Sequence, residues 1–365
     1  MYLNTILLHN FRNYEHLELS LSPRINFFVG HNAQGKTNFL EALTFLATGR
    51  SHRTHKDGEM IRWGQGKSYL KTEIQVGPTK RILAAELPRQ GRKSFQVNGM
   101  PIRRLSDLFG LLQVVLFTPD DLQLIKGSPA LRRRYLDLQI CQINGPYRHY
   151  LTRYNQVLKQ RNTLLELGDA ESLAPWDEQL CTLGSKLIYQ RLQSLAYLAP
   201  KAQSYHRLIS GGQEELQISY QPFWSAPVPS TEEEIHACFW RALQAARPGE
   251  LRRRQSLIGP QRDDLLFVID GKDARKYASQ GQQRSAVLAC KLAELDYMHW
   301  ESSHYPLLLL DDVASELDVQ RRHLFLENIS SQVQIYLTTT GIQPFSQEML
   351  SQGLVFQVEK GKISL

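Results

Sequence analysis

One short turn constrains this chain more than any other feature: GHNAQGKT at residues 30–37, set between the apolar run RINFFVG and the helical-period run TNFLEALTFLA. Strand, tight turn and helix in that order make a βα unit whose turn points backbone N–H groups at a helix N-terminus, where phosphates dock. The string fits GxxxxGK[ST]. Gly30 and Gly35 supply the backbone freedom, with His31, Asn32, Ala33 and Gln34 between them. Lys36 is placed to reach β- and γ-phosphates, and Thr37 to put its hydroxyl on Mg²⁺. Such a string also arises by chance. Here Phe39, Leu40, Leu43 and Leu46 recur at helical spacing behind it, which supplies the context the motif requires.

A nucleotide site of this kind needs a carboxylate, and none suitable follows in the next hundred residues. The candidate lies far away, in PLLLLDDVASELD at 306–318. Four leucines ending in two aspartates read as a buried parallel strand whose C-terminal end faces a ligand. Asp311 would hold Mg²⁺ and Asp312 would polarise an attacking water. The plainer alternative, two aspartates capping the next helix, leaves the leucine run unexplained. Lys36 and Asp311 are 275 residues apart, more than one compact nucleotide domain usually spans, so something is inserted between them.

The periodicity shows where. Residues 1–120 are strand-rich, with YLNTILLHNF, HLELSL, YLKTEIQV, RILAAEL and SFQVNG punctuated by turn residues. Between Pro146 and Leu167, and again between Pro175 and Leu198, apolar residues recur every three or four positions. These predict two long helices joined by a short connection, a helical hairpin. A third helix begins at STEEEIHACFW with the pattern of a capping box and breaks at RPGELRRRQ. The expected fold is therefore α/β, a P-loop ATPase domain formed by residues 1–120 and 255–365 and split by a helical lobe at 121–254.

A second helix start is anion-ready. In KYASQGQQRSAVLACKLAEL (276–295), Ser279, Gly281 and Gln282 precede a strongly helical run. One nucleotide seldom needs two phosphate cradles. The economical reading is that this one covers the γ-phosphate held by another copy, closing nucleotides between two subunits, although SQGQQ alone would also suit an ordinary capped helix.

Composition narrows the partners. Forty-three Lys and Arg against 36 Asp and Glu give a net charge of +7, and the basic residues cluster in GRSHRTHK, PRQGRK, LRRRY and LRRRQ, a pattern that suits a polyanion. Any one cluster would be an ordinary solvated surface; together they suggest a nucleic-acid face, with Arg50, Arg53, Arg132, Arg133 and Arg134 as candidate contacts. Four cysteines at least forty residues apart suggest neither zinc nor disulfides. No stretch approaches eighteen apolar residues and no leader is evident, so a cytoplasmic protein is expected, with no membrane partner.

The order GHNAQGKTN, SQGQQR, LLLLDD, SELD resembles the ABC-type ATPase heads of the chromosome-maintenance and DNA-repair class, and within it the RecF family. HNFRNYE, LEALTFLATGRSHRT, FTPDDLQLIKGSPALRRRYLD, IGPQRDDL and KLAEL extend that likeness from residue 8 to about residue 340. The resemblance implies an ABC-type head of two lobes with no long coiled coil, binding ATP and Mg²⁺, forming an ATP-dependent homodimer, and gripping duplex DNA near single-strand gaps. It implies RecR and RecO as partners in placing recombinase. Residues 30–37 would bind ATP; Asp311 and Asp312 would be the metal and water carboxylates; Ser279, Gly281 and Gln282 would act in trans; Ser315, Glu316, Leu317 and Asp318 would form the turn between two nucleotides. Where transporter-type heads carry a histidine after the last core strand, this chain has IYLTTTG, so Thr338 to Thr340 would meet the γ-phosphate and hydrolysis would be slow, a switch rather than a metabolic activity. Gln261 stands where the family usually has histidine. Gln113 and the FTPDD loop are both candidates to position water. Two other classes share part of the motif set: the nucleotide-binding subunit of a membrane transporter, and a P-loop kinase, which leaves SQGQQR without a role.

Overall fold

The computed structural model describes residues 1–224, 229–312, 324–326, 329, 331–343 and 345–365. The chain divides into two units, one of Met1–Asp121, Leu208–Ser210 and Lys291–Leu365, the other of Leu122–Arg207 and Gly211–Cys290.

The first unit holds two six-stranded sheets. One is antiparallel, in the order β2 (Tyr14–Ser20), β1 (Tyr2–Phe11), β4 (Lys67–Val76), β5 (Thr79–Pro88), β6 (Ser94–Val97), β7 (Met100–Pro101). The other runs β15 (Lys362–Ser364), β14 (Gly353–Glu359), β3 (Ile25–Val29), β13 (Ile335–Thr339), β12 (Leu307–Leu310), β8 (Val114–Phe117). Its pairs are parallel from β14 to β8. Every residue of β3, β12 and β13 is buried, which is why β12 reads as a continuous apolar run and β3 and β13 do not alternate. Helix α1 (Lys36–Thr48) touches strands of both sheets and is buried on nearly all sides, with Phe39, Leu40, Leu43, Phe45 and Leu46 fully inside. A helix buried on nearly all sides is what a layer between two sheets requires, and its polar residues Glu41, Thr44 and Thr48 are hydrogen-bonded there.

The second unit is mainly helical: α2 (Gln123–Lys126), α3 (Pro129–Ile143), α4 (Gly145–Leu167), α5 (Ala174–Ile209), α6 (Glu232–Arg253) and α7 (Ala274–Tyr277). Asn144 at the start of α4 bonds Gln190 on α5, Tyr150 carries the Lys186 ammonium over its ring, and Arg161 pairs with Asp177. Numbers rise along one helix as they fall along the other, so α4 and α5 form the antiparallel hairpin that their spacing predicts. Thr231 and Glu234 make the expected capping box at α6.

Two sequence expectations need correction. The break anticipated at RPGELRRRQ does not occur: α6 continues through Pro248 to Arg253. Ion pairs on either side of the proline, Arg247 to Asp177 and Glu250 to the fully buried Arg161, hold the last turns in place against the lost N–H donor. The return to the first unit comes not at residue 255 but within α8 (Gln280–Ser302), between Cys290 and Lys291. A strand pair missed in the sequence explains this. β10 (Asp264–Ile269) pairs antiparallel with β9 (Leu216–Gln221), and the Arg132 guanidinium of α3 clamps Asp264 at its start.

Candidate nucleotide site

Parallel pairing of β3, β13, β12 and β8 brings their C-terminal ends to one edge, where a parallel sheet presents its ligand site. Residues 30–35 leave β3 there and enter α1. Two glycines permit the turn. Gly35 has φ 124°, and a Cβ on it would lie 2.6 Å from the Asn13 amide nitrogen. A Cβ on Gly30 would collide with the Val358 carbonyl of β14. The loop is tied from outside: Tyr14 donates its hydroxyl to the Gly35 carbonyl at 2.9 Å, Asn13 donates to the Gln34 carbonyl at 2.8 Å, and the Lys360 N–H reaches the Gln34 side chain at 2.7 Å. Such ties fix the loop before a ligand arrives, which lowers the cost of binding.

The Lys36 ammonium folds back over this loop, donating to the carbonyls of Gly30 and His31, the latter at 2.9 Å. Burial pulls its pKa down, against the opposing pull of Asp312 and Asp311. An anionic ligand would stabilise the charged form of this desolvated ammonium, whereas the two carboxylates oppose that ligand unless a cation accompanies it.

Asp311 stands beside the loop. The Thr37 hydroxyl donates to Asp311 Oδ1 at 3.0 Å across a sequence separation of 274 residues. Asp311 follows β12 directly, and its N–H donates to the Phe117 carbonyl at the end of β8 at 2.8 Å. Asp312 takes a left-handed φ of 52°, a conformation that aspartate tolerates better than most residues. Its N–H is held by the Thr338 hydroxyl at 2.9 Å.

Thr338 has a different place from the one the sequence suggests. It is fully buried on β13, with its hydroxyl donated to Asp311 Oδ1 at 2.7 Å. Thr339 is also buried and bonds the Gly341 carbonyl. Of the three threonines only Thr340 is exposed, so contact between Thr338 and a γ-phosphate is ruled out by its burial, and Thr338 is a positioning residue for the two aspartates. Gln113 is likewise removed from the site. It precedes β8 at the opposite edge and accepts from Ser302. The FTPDD loop does sit at the correct edge, with Asp121 capping Thr118 and paired to the buried Lys291 at 3.2 Å.

Sequence reasoning passed over His52. Its imidazole lies close enough to Glu41 and Asp311 to feel both, while burial lowers its pKa. The histidine was visible in GRSHRT only as part of a basic cluster. Beside it, Glu41 of α1 is fully buried and held by a two-pronged Arg12 pair at 2.6 and 2.8 Å.

In the second unit, Ser279 and Gln282 close on each other at the start of α8. The Ser279 hydroxyl accepts from the Gln282 N–H at 3.2 Å, and the Gln282 side chain accepts from the Ser279 N–H at 2.9 Å. This is a capping box. Ser279 is exposed and Gly281 and Gln282 half-buried. Gln261 accepts from the buried Tyr154 hydroxyl and donates to the Ile258 carbonyl, a packing role inside this unit. Ser315, Glu316, Leu317 and Asp318 lie outside the described residues.

The arginine candidates separate. Arg50 and Arg134 are exposed, and Arg53 is part-exposed while bonded to Asn38 and Glu41. Arg132 is 3% exposed and makes two bonds to Asp264 and one to the Gly127 carbonyl. It is unavailable to a phosphate backbone, contrary to its place among the candidate DNA contacts. Arg133 is half-buried and donates to the Asp263 carbonyl.

A phosphate-binding turn, a β12 carboxylate and a βα sheet filled by α1 define the class, a P-loop ATPase head of the ABC and SMC type. Residues 2–364 match the family described as RecF/RecN/SMC N terminal domain. Over its full length the chain is 44% identical to the DNA replication and repair protein RecF of Symbiobacterium thermophilum, covering 98% of it. It is 39% identical to the RecF of Bacillus subtilis, with both chains covered completely. The solved structure of the recombination mediator protein RecF-ATP in the RecFOR pathway superposes with a TM-score of 0.91 at 30% identity, covering 100% of this chain and 97% of that one. An SMC head bound to the C-winged helix domain of ScpA shares the fold, at a TM-score of 0.59 and 15% identity. The chain belongs to the RecF family of DNA replication and repair proteins. A transporter subunit is not favoured by these likenesses, and among the described residues no helix is long and apolar enough to cross a membrane.

Proposed function

We propose that the chain is a cytoplasmic ATP-dependent DNA-binding switch. The observation that carries it is the meeting of Lys36, Thr37 and Asp311 at one edge of the parallel sheet. ATP would lie along residues 30–37, its β- and γ-phosphates drawn to the Lys36 ammonium. A magnesium ion fits the remaining donors: the Thr37 hydroxyl and the Asp311 carboxylate are both hard oxygen ligands, 3.0 Å apart. Among the described residues no three or more His, Cys, Asp or Glu side chains gather to cage a metal. That suits Mg²⁺, which usually takes one or two protein oxygens and completes its shell from phosphate and water. Its chemistry there would be to neutralise phosphate charge.

Asp312, its backbone N–H held by Thr338, would polarise the attacking water. Ser279, Gly281 and Gln282, presented at the exposed start of a 23-residue helix, would close on the γ-phosphate of a second copy. Closing two heads over ATP would join their basic faces around duplex DNA near a gap, and slow hydrolysis would release them. The bias toward the closed dimer comes from ATP binding it more tightly than the open monomers. Because RecF relatives act in a RecFOR pathway, RecR and RecO are the proposed protein partners. The test is retention on gapped DNA with ATP, without nucleotide, and with Lys36→Ala. Affinity should fall sharply in the last two conditions; equal binding in all three would remove the switch.

A further inference from the structure

Resting on the DNA reading, we infer that Trp63 and the aromatic row beside it form a stacking platform for unpaired bases, which lets the protein tell a gap from continuous duplex. Trp63 is 94% exposed, the most exposed large apolar side chain among the described residues. An indole fully in water gains nothing for the fold.

The turn that carries it is nevertheless built rigidly. The Arg62 N–H donates to the Asn10 carbonyl at 2.9 Å, the Gln65 N–H to the Arg62 carbonyl at 3.0 Å, and the Arg89 N–H to the Gly66 carbonyl at 2.8 Å. The Arg89 guanidinium adds a bond to the Gln65 carbonyl at 2.9 Å. A ring held out on a fixed turn loses little freedom on stacking, which is the condition for efficient use of an aromatic contact.

The register of the antiparallel sheet places more rings at the same end. His9 of β1 lies directly opposite His16 of β2 and Tyr69 of β4. His9 and His16 are exposed and Tyr69 half-exposed, on the face away from the buried Leu8, Leu17 and Leu70. The two imidazoles meet edge to face with centroids 6.2 Å apart. The Arg62–Asn10 bond joins the residue before Trp63 to the residue after His9, so the turn that carries the indole lies at this end of the sheet.

Charge decides between a nucleic acid and an apolar protein partner. The Arg89 side chain spends its hydrogen bonds on carbonyls only, so its positive charge meets no carboxylate among the described residues. Arg92 and Lys71 are exposed on the same sheet or its turns. The remaining exposed large apolar residues of this sheet, Ile82 and Met100, are at its far end. A protein hot spot would surround the indole with apolar neighbours. Two carboxylates also lie here, Glu15 paired to Arg62 at 3.0 Å and Glu86 paired to Lys67 at 3.3 Å, which leaves Lys71, Arg89 and Arg92 as cations with no ion pair among the described residues. A planar ring beside three such cations and smaller rings suits a single strand, whose bases stack and whose phosphates pair with arginine and lysine.

The experiment compares wild type, Trp63→Ala and Trp63→Phe for binding, with ATP, to continuous duplex and to duplex carrying a single-strand gap. Trp63→Ala should weaken the gapped substrate about ten-fold while leaving the duplex unchanged, with Trp63→Phe between. The part of the tryptophan emission that Trp63→Phe removes should be quenched by gapped DNA and not by duplex. Melting temperatures should agree, since the side chain is exposed. Equal affinities of wild type and Trp63→Ala for both DNAs would overturn the platform and leave the switch standing, as would loss of RecR binding with DNA binding intact. Failure of the wild type to bind either DNA would overturn the DNA reading and the platform together.

Discussion

The Thr338 hydroxyl donates to the same oxygen of Asp311 that accepts from Thr37, at 2.7 and 3.0 Å. Thr338 therefore couples two neighbouring strands of the sheet to the phosphate-binding helix, and its oxygen also receives the Asp312 N–H. One buried hydroxyl holds the carboxylate of Asp311 and the backbone of Asp312.

Replacing Thr338 with valine keeps the shape and removes those bonds. A lost hydrogen bond to a charged group is worth about 1.5 kcal/mol or more, a ten-fold change in rate when it acts only on the hydrolytic step. Thr338→Val should lower kcat for ATP hydrolysis roughly ten-fold while KM and the ATP dissociation constant move little. Equal losses in ATP binding and turnover would assign Thr338 a merely structural role.

Arg132 and Arg134 should behave oppositely, although they stand two residues apart. Arg132→Ala leaves Asp264 without its partner inside the second unit, at a cost of about 3 kcal/mol, and should lower the melting temperature. DNA affinity per folded molecule should not change. Arg134→Ala should leave stability alone and reduce both DNA affinity and its dependence on salt. Thermal melting and salt-titrated DNA binding of the two variants check this.

That contrast shows what the sequence held and what it did not. The turn at 30–37 was legible because its chemistry is local: glycines, lysine and threonine in one string with a strand before and a helix after. Asp311 was legible because four consecutive leucines ending in two aspartates suit a short strand buried on both faces, and the subtraction from Lys36 then required an insertion. Arg132, Arg133 and Arg134 are indistinguishable as letters, yet successive helix positions point about 100° apart, so one is buried, one half-buried and one exposed. Thr338 was misjudged for a similar reason, since its partners lie on another strand. The end of the second unit was misplaced because β9 and β10 find each other across more than forty residues, and no local pattern records such a pairing.

Asp263 gives the second unit a pH signature. Burial pushes its carboxyl up to about 6, with Arg191 opposing, while the Tyr220 hydroxyl and Phe223 N–H bond its two oxygens. The folded state holds this proton over a range in which the unfolded chain, with an aspartate pKa of about 4, has released it. Its contribution is thus fully present below pH ~4 and is lost as pH rises to about 6, then flat above that. Denaturant titrations from pH 4 to 8 should show wild type losing stability relative to Asp263→Asn across pH 4 to 6. A constant difference over the whole range would contradict the raised pKa.

The central claim, that ATP held at Lys36, Thr37 and Asp311 joins two copies, is tested most directly by sedimentation. The protein would be run with a slowly hydrolysed ATP analogue, with ADP and with neither, alongside Lys36→Ala. A dimer appearing only in wild type with the ATP analogue is the expected result. A single species unchanged across all three conditions, whether monomer or dimer, would contradict it.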